Sequence, residues 1–475
     1  MNNWQLKLFC IFAAFTLNAL EFSSLPFEFS SEMIEFSNNN LHLKKNVLLK
    51  NKDFKLLSDE ARIQFIKKND KEIGFSTVSL TGGVEAYFKN GGKFNSSTAL
   101  LDQNKLIAQA LVDGFEKVSF SHPFAIRNKK GLLNISSFKM EALLLPEMEG
   151  QKTPLQTIYG KGEVVFSIDN WLRMTGDDFQ YTPMATKDSN CFGQAYFEIS
   201  SFKNKISFIY EKSLLVYGKK AIYDPSIGKL LVYQPEGSFL LFTKEGEHNF
   251  FFEADELTYD FASGTLELMG QIALESLNFG KINVLGELTV SLDKDPKKFK
   301  MIHAEGEIKY CFGESLLNLN GVAAFDPILK KFSLEKKGKE QIHYLREDAD
   351  FYADHAFISF KKDSLKFIPE KCSLIGDVKG VHKAASKNER DFKPIQYVVA
   401  SVIEMDFLNN KMEMRAEKPS RVLFYDKINK MQVSADGLKL SMDINRTFQF
   451  AKGIGDVRFR FVETELNEMK KKFNY

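Results

Sequence analysis

Short runs of alternating apolar and polar residues dominate the chain. The clearest run, residues 254–272, has apolar residues at every second position on both sides of a turn: Leu257, Tyr259, Leu266 and Leu268. Asp260 and Gly264 are residue types that favour the turn between them. Alternation with a period of two gives each strand one buried and one wet face. The run therefore predicts a β-hairpin, with a third strand opening at Ile272.

The same hairpin pattern recurs through the second half of the chain. In each copy a strand ends at an anchor residue, and the next apolar pattern begins about six residues later. The anchors Asp224, Asp260, Asp293, Asp326, Lys361 (a weaker copy), Asp406 and Asp443 are separated by 36, 33, 33, 35, 45 and 37 residues. We interpret the polar stretch 383–393, inside the longest interval, as a loop insertion. A nearly constant period predicts a repeat architecture; the alternative is ordinary turns in an unrelated all-β protein.

A second pattern consists of a glycine, a second small or polar residue and then a β-branched residue. It occurs at Gly270-Gln271-Ile272, Gly306-Glu307-Ile308, Gly376-Asp377-Val378 and Gly455-Asp456-Val457, and earlier at Gly82-Gly83-Val84 and Gly162-Glu163-Val164. A glycine inside an alternating strand indicates a bulge or a sharp bend. One bend in each repeat would fold a long ribbon of strands over on itself.

Residues 1–20 have the pattern of a secretory signal peptide, with one positive charge at Lys7 and an apolar run of ten residues from Leu8 to Leu17. The run is too short to span a bilayer comfortably. An uncleaved N-terminal anchor is the alternative, because Leu17 is not ideal beside a cleavage site. Cys10 lies within the run rather than after it, which argues against a lipid-modified cysteine. We expect an exported protein, in the periplasm or at the cell surface.

Composition narrows the function classes. The net charge is +2, from 64 basic and 62 acidic residues, so no strong field selects a nucleic acid. Phenylalanine accounts for 45 of the 475 residues, which suits strands with a thickly apolar inner face. Beyond the signal segment, Cys191, Cys311 and Cys372 form an odd set, which argues against a disulfide framework. We expect buried free thiols, with a single bridge as the alternative.

We predict four segments along the chain: a signal peptide (1–20), one or more N-terminal β modules (21–215), C-terminal β repeats (216–462) and a charged tail (463–475). The boundary near residue 215 rests on the repeat being regular after it and irregular before it. A single continuous sheet through both halves remains the alternative.

The repeated unit resembles the OstA-like units of the lipopolysaccharide-transport proteins, in which the pattern is A-x-x-x-x-Y-D, then L-x-L-x-G-x-V. The matching residues are Ala254, Tyr259, Asp260, Leu266, Leu268, Gly270 and Ile272. Residues 30–66 and 215–460 carry most of the resemblance. Within residues 30–66, Lys45-Asn46 is predicted to be a turn between two strands. It implies an all-β fold, an elongated β-jelly-roll or β-taco of stacked antiparallel strand repeats. It also implies an apolar interior for lipid acyl chains. The chain is much longer than a single-module member of that family.

The inner residues of such a fold are candidates for lipid contact. If the two walls of the folded sheet splay apart, these residues line a groove; if the walls pack together, the same residues form a core. The candidates are Leu257, Tyr259, Leu266, Leu268, Ile272, Phe299, Met301, Ile308, Phe332, Leu334, Met412, Met414, Phe448 and Phe450, followed by Val457 and Phe459.

Catalytic patterns do not emerge from the sequence. The seven histidines are scattered without H-E-x-x-H spacing, and no G-x-S-x-G occurs. The acidic pairs Asp177-Asp178 and Asp348/Asp350 are interpreted as solvated turn residues. We therefore expect no enzymatic activity, no cofactor and no metal site.

The leading hypothesis is a periplasmic transport or outer-membrane assembly protein that binds lipopolysaccharide or a related glycolipid. Unpaired edge strands would join it to other β-jelly-roll transport proteins, and an outer-membrane translocon is a further candidate partner. The main alternative is a structural or adhesive cell-surface β-solenoid without lipid. A carbohydrate-active β-solenoid enzyme would need a cluster of carboxylates on one face.

Overall fold

The protein is all-β in a computed structural model. The described residues are 27–51, 54–69, 72–89, 91–102, 105–110, 117–126, 129–144, 155–184, 195–243, 246–291, 302–326, 329–363, 366–385, 392–427, 430–442 and 448–460. Within these ranges the regular structure is strand, and no helix is long and apolar enough to cross a membrane. The chain divides into two compact units, one ending at Val232 and the other beginning at Tyr233.

Several sequence predictions fall outside the described residues. They are the signal segment 1–20, the tail 463–475, the anchors Asp293 and Asp443, the candidates Phe299 and Met301, and Cys191.

The first unit is built from antiparallel strands joined mostly by short turns. Its strands are β1 (Glu28–Ser30), β2 (Met33–Ser37), β3 (Asn40–Lys50), β4 (Phe54–Asn69), β5 (Glu72–Phe88), β6 (Lys93–Asp102), β7 (Lys105–Gln109), β8 (Val118–Ile126), β9 (Lys129–Ser137), β10 (Lys139–Leu144), β11 (Leu155–Ile168), β12 (Leu172–Pro183), β13 (Ala195–Ser200), β14 (Ile206–Tyr210), β15 (Leu214–Gly218) and β16 (Lys220–Asp224), with β17 (Lys229–Tyr233) at the boundary.

The sheet of the first unit is folded over on itself. On β11, Ile158 pairs with Tyr181, and eight residues later Phe166 pairs with Ile135, which in turn pairs with Phe120. In a straight strand those two positions would be roughly 26 Å apart, at about 3.3 Å per residue. The rings of Phe120 and Tyr181 are nevertheless only 5.7 Å apart. The two ends of β11 therefore lie in facing walls.

The second unit repeats this construction. Its strands are β18 (Glu236–Thr243), β19 (Gly246–Glu253), β20 (Glu256–Asp260), β21 (Thr265–Ser276), β22 (Gly280–Ser291), β23 (Ile302–Phe312), β24 (Ser315–Asp326), β25 (Lys331–Lys336), β26 (Ile342–Arg346), β27 (Ala349–Ala353), β28 (His355–Asp363), β29 (Lys366–Ala385), β30 (Phe392–Asp406), β31 (Lys411–Arg415), β32 (Val422–Asp426), β33 (Met431–Ala435), β34 (Gly437–Met442), β35 (Phe448–Ile454) and β36 (Arg458–Arg460).

Long strands of the second unit also cross from one wall to the other. On β24, Leu317 pairs with Tyr310, and Phe325, eight residues later, pairs with Phe332. The rings of Tyr310 and Phe332 are 4.2 Å apart, although a straight strand would separate them by roughly 26 Å. We call the half of the sheet that contains β25, β28, β31 and β34 the first wall, and the half that contains β26, β27, β32 and β33 the second wall. The predicted all-β fold of folded, stacked antiparallel strands is confirmed within each unit.

The bends between the walls combine a glycine with an aspartate. Gly270 has φ +91° within β21, and Gln271 N donates a hydrogen bond to Asp255 Oδ2 at 2.8 Å. A Cβ on Gly270 would lie 2.7 Å from the Cβ of Asp255, so the position has no room for a side chain. The same packing of an aspartate against a bend glycine occurs at Asp59 with Gly82, Asp354 with Gly376 and Asp436 with Gly455.

The described aspartate anchors are turn formers, as predicted. Asp260 Oδ1 accepts a hydrogen bond from Ala262 N at 2.7 Å, which closes the turn between β20 and β21. Asp224, Asp326 and Asp406 accept comparable bonds from backbone N–H groups two or three residues later. Short side-chain acceptors of this kind stabilise the turn conformation directly.

Three details differ from the sequence predictions. Lys361 lies inside β28, because the pairing of that strand with β29 continues to Asp363 after a register shift between Ser359 and Phe360. Lys45 and Asn46 form a bulge within β3 rather than a chain-reversing turn, so the strand runs on to Lys50. The predicted loop 383–393 is narrower than expected, since β29 extends to Ala385 and β30 begins at Phe392. In each case sheet pairing continues through polar residues that the pattern assigned to turns.

Candidate functional site

The predicted lining residues of the second unit point into its interior. Ten of those whose side chains are described are buried: Leu257, Tyr259, Leu266, Leu268, Ile272, Ile308, Phe332, Leu334, Met412 and Met414. Phe448 and Phe450 belong to β35, and Phe459 to β36, but their side chains lie outside the described part, and Val457 is partly exposed. These ten predicted positions are therefore apolar and inward-facing.

These residues do not form one site but occupy successive layers of the interior. Leu257 pairs with Leu268 and Tyr259 with Leu266 on neighbouring strands near the start of the unit. Met412 and Met414 belong to β31, whose neighbours are β30 and β34. The early and late candidates must therefore be considered separately.

Aromatic rings fill the interior near β22 to β28. Phe279 lies 4.6 Å from Phe325 and 5.8 Å from Phe360, measured between ring centroids. Tyr310 packs on Phe332 and donates a hydrogen bond from its hydroxyl to the carbonyl oxygen of Phe279 at 2.6 Å. Burial raises the pKa of the Tyr310 hydroxyl, which keeps it a donor at all ordinary pH values. In this layer the candidates act as core.

A recess opens between the walls further along the chain, around β27 to β34. Met412, Met414 and Leu440 line it from the first wall. The second wall contributes Phe351, His382, Gln396, Tyr397, Val398 and Phe424. The recess encloses about 260 Å³ of atom-free space, including the part open to solvent. Two of the predicted lining residues are thus at a site where the walls do not meet completely.

Polar groups lie along one side of this recess. Ala349, His382, Gln396 and Asp426 are in register across β27, β29, β30 and β32, on the inner face of the second wall. Gln396 and Asp426 are only 4% and 5% exposed. Gln396 Nε2 donates a hydrogen bond to Asp426 Oδ2 at 3.0 Å. Among the described residues, Gln396 Oε1 has no hydrogen-bond partner.

A charged pair lies next to this polar row. Arg346 holds Asp348 with two hydrogen bonds, from Nε to Oδ1 and from Nη2 to Oδ2, the second at 2.9 Å. His382 Nε2 is 3.9 Å from Asp348 Oδ2. The guanidinium charge is thereby matched by a buried carboxylate, in the bidentate geometry typical of strong pairs.

Asp350 anchors a second charged group on the outer face of the second wall. Its carboxylate accepts a hydrogen bond from His343 Nε2 at 2.7 Å and one from Lys383 Nζ at 3.4 Å. Burial opposes its charge, but the bond from His343 and the charges of His343 and Lys383 outweigh burial and hold the Asp350 pKa below its usual value. The interpretation of Asp348 and Asp350 as solvated turn residues is therefore wrong, because both are buried.

Methionines give the first wall of the recess an adaptable surface. Met405, Met412 and Met414 are buried on neighbouring strands, with Met405 paired to Met412. Methionine side chains are unbranched and polarizable, so they change shape at low cost to fit different neighbours. This wall differs physically from the ring-filled layer earlier in the unit.

The two described cysteines are both free thiols. Cys372 is fully buried and free, and burial raises its pKa to about 12 against the opposing charge of Arg346. Cys311 is free but exposed, so the expectation of buried thiols is wrong for that residue. Across the described ranges, no group of three or more His, Cys, Asp or Glu side chains could hold a metal ion.

Sequence reasoning missed Gln396, Asp426 and the bend aspartates. Gln396 lies in the stretch 395–400, in which all of the remaining residues are apolar. The pattern therefore does not alternate and could not show which positions face inward. The bend aspartates had a usable signal, since Asp255, Asp354 and Asp436 each follow an alanine directly and precede a bend glycine by 15 to 22 residues.

No family model matches the chain, and no curated protein sequence matches it.

Proposed function

We propose that the second unit binds the apolar chain of an amphiphile in the recess between its two walls. We further propose that the protein is a periplasmic carrier of lipopolysaccharide or a related glycolipid. The observation that carries the proposal is the change of lining along the interior. Interlocked aromatic rings give way to methionines and leucine at a site that is incompletely filled.

The proposed location and partners rest on the sequence. The resemblance to OstA-like units and the signal pattern of residues 1–20 support export to the periplasm. Short strands such as β1 and β2, each paired to β3 in the first unit, support edge-to-edge addition of another β-jelly-roll protein. The proposal contains no catalytic step.

The energy of such binding comes from burial of methylenes. Each methylene moved from water into an apolar site contributes about 0.8 kcal/mol, or roughly fourfold in affinity. Equilibrium dialysis of 1-octanol, 1-decanol and 1-dodecanol against the purified protein tests this directly. We expect affinity to rise roughly fourfold per methylene until the recess is filled.

Variants locate the binding. Met414→Trp should fill the recess and weaken decanol binding by at least about tenfold, the effect of losing two methylene contacts. If the tryptophan ring of Met414→Trp prevents folding, Met414→Phe replaces that variant in the same measurement. Met269→Trp is the matched control, because Met269 is 47% exposed on the outside of the first wall. Absence of alcohol binding to the folded protein, or equal losses in the Met414 and Met269 variants, would contradict the proposal.

A structural or adhesive β-solenoid is the second candidate function. The ring-filled layer around Phe279, Phe325 and Phe332 favours it, because a closed core of this kind holds no cargo. Labelling of intact cells with an impermeant amine reagent distinguishes the two. Strong labelling together with no alkyl-chain binding would support the adhesive role.

A further inference from the structure

We propose that Gln396 recognises a hydrogen-bond donor, a hydroxyl or an amide N–H, on the amphiphile bound in the recess. The ligand would then be a neutral amphiphile with such a donor next to its alkyl chain, rather than a free fatty-acid carboxylate. This inference rests on the proposed function and specifies the chemistry of the same site.

The orientation of the Gln396 amide is fixed by its neighbour. Its Nε2 donates to Asp426 Oδ2 at 3.0 Å. The reversed amide would place Oε1 against a carboxylate oxygen, bringing two acceptors together at hydrogen-bond distance. Asp426 therefore holds the nitrogen on its own side, and Oε1 lies on the other side of the amide of a residue that lines the recess.

The Oε1 atom lacks the partner that a buried acceptor requires. Gln396 is 4% exposed, and no group in the described part of the chain donates to Oε1. A buried acceptor without a donor is unfavourable, and most such groups are paired in folded proteins. A ligand donor that reached Oε1 would remove this cost.

The charges around the recess disfavour an anionic head group. Asp426 is buried directly beside Gln396, and a second carboxylate there would face both Asp426 and Oε1. The Arg346 charge is already matched by Asp348, and Lys383 pairs with Asp350. A hydroxyl or amide brings a donor without adding charge.

The apolar part of the recess can adapt to a chain. Met412 and Met414 face Phe351, Val398 and Phe424 across the void. Unbranched methionine side chains can move aside without breaking backbone pairing. The recess thus offers one polar contact beside a deformable apolar surface, which matches a single alkyl chain with a neutral donor.

Three probes with the same chain length test the inference: 1-decanol, decyl methyl ether and decanoate, each measured by equilibrium dialysis with the full chain at pH 7.5. We expect the wild-type protein to bind decanol about fivefold more tightly than the ether, because only the alcohol donates to Oε1. Decanoate should bind most weakly. This comparison requires no variant.

Substitutions then assign the preference to Gln396. Gln396→Met should abolish the difference between alcohol and ether, whereas Met412→Leu should keep the ratio and change both affinities together. Where Gln396→Met does not fold, Gln396→Leu combined with Asp426→Leu replaces it, because the hydrogen-bonded pair is then removed together and no buried carboxylate loses its donor.

The outcomes separate the two proposals. Equal binding of alcohol and ether by the wild-type protein would overturn the inference and leave the proposed function standing. Failure of all three probes to bind would remove both. If only a chain ending at residue 460 binds decanol, the chain's own C-terminal residues are the occupant, and the inference would also fall.

Discussion

Single residues determine where the sheet bends. Gly270 combines a positive φ with the packing of Asp255 over its α-carbon, and the Asp255 carboxylate accepts a hydrogen bond from the next backbone N–H. Three further bends use the same two residue types. A bend that needs both a missing side chain and a carboxylate acceptor is specified at one position.

We predict that Gly270→Ala destabilises the second unit by about 2–4 kcal/mol, since strain at positive φ adds to the collision with Asp255. The midpoint of urea unfolding measures this. Gly313→Ala is the control, because Gly313 has φ +55° but nothing within 4 Å of an added Cβ. It should lose only about 1 kcal/mol. Equal losses in the two variants would show that the Asp255 contact contributes nothing.

The lowered pKa of Asp350 predicts that the stability of the folded protein depends on pH in the acid range. Its pKa is lower in the folded state, so its contribution to stability is present above the unfolded-state value, about pH 4. The contribution is lost as the pH falls through the lower folded-state pKa. Asp350→Asn should therefore flatten the fall in unfolding midpoint below about pH 4.

Urea titrations at a series of pH values from neutral to strongly acid test this prediction. Glu347→Gln, in the exposed neighbouring turn, is the control. Identical pH profiles for wild type and Asp350→Asn would refute the role of the His343 and Lys383 contacts.

At the scale of elements, the hairpin is the part that the sequence specified most completely. Alternation placed Leu257, Tyr259, Leu266 and Leu268 on the inner face, and all four are buried. The aspartate anchors were found because a turn depends on local backbone chemistry. Lys361 and the Lys45-Asn46 bulge were misassigned, because strand continuation there depends on partner strands distant in sequence.

We predict that Asp260→Ala weakens the β20–β21 hairpin by about 1 kcal/mol, because Ala262 N and Ser263 N lose their acceptor. In this variant, hydrogen exchange of the amides in residues 256–268 should become faster than in the wild-type protein. Exchange in the hairpin of β26 and β27 should stay the same. Asp260→Asn keeps an acceptor oxygen and should restore most of the protection. Unchanged exchange in the alanine variant would mean that the turn is held by strand pairing alone.

The recess was only partly predictable from sequence. Met412 and Met414 were found by alternation, but whether inner residues meet or leave space depends on side-chain volumes across two walls. Gln396 was hidden because its apolar neighbours on both faces mask the inward positions. The pairing of Gln396 with Asp426 joins strands thirty residues apart, which no local pattern encodes.

At the scale of the whole molecule, each of the two compact units contains buried aromatic residues. Trp171 belongs to the first unit, where its ring lies 6.0 Å from that of Tyr210. Trp4, the other tryptophan, lies in the predicted signal segment. In a Trp4→Phe background, tryptophan fluorescence therefore follows the first unit, while far-UV circular dichroism follows both.

We predict that Phe332→Ala adds an early phase to the circular dichroism transition and leaves the fluorescence midpoint in place. Removal of this buried ring from the second unit should cost about 3–5 kcal/mol there. Phe166→Ala is the matched change in the first unit, where it should shift the fluorescence midpoint. Simultaneous shifts of both probes in both variants would show a single cooperative transition.

The alkylation rate of Cys372 would measure how often the second unit opens to water. This thiol is paired in register between Ile358 and Met405, on the inner face of the first wall. Its raised pKa leaves very little thiolate at neutral pH, so alkylation must await exposure to water. Exposed Cys311 in the same molecule reports the intrinsic reagent rate. The ratio of the Cys372 rate to the Cys311 rate measures how often the two walls separate. An alkyl chain bound in the neighbouring layer would lower this ratio.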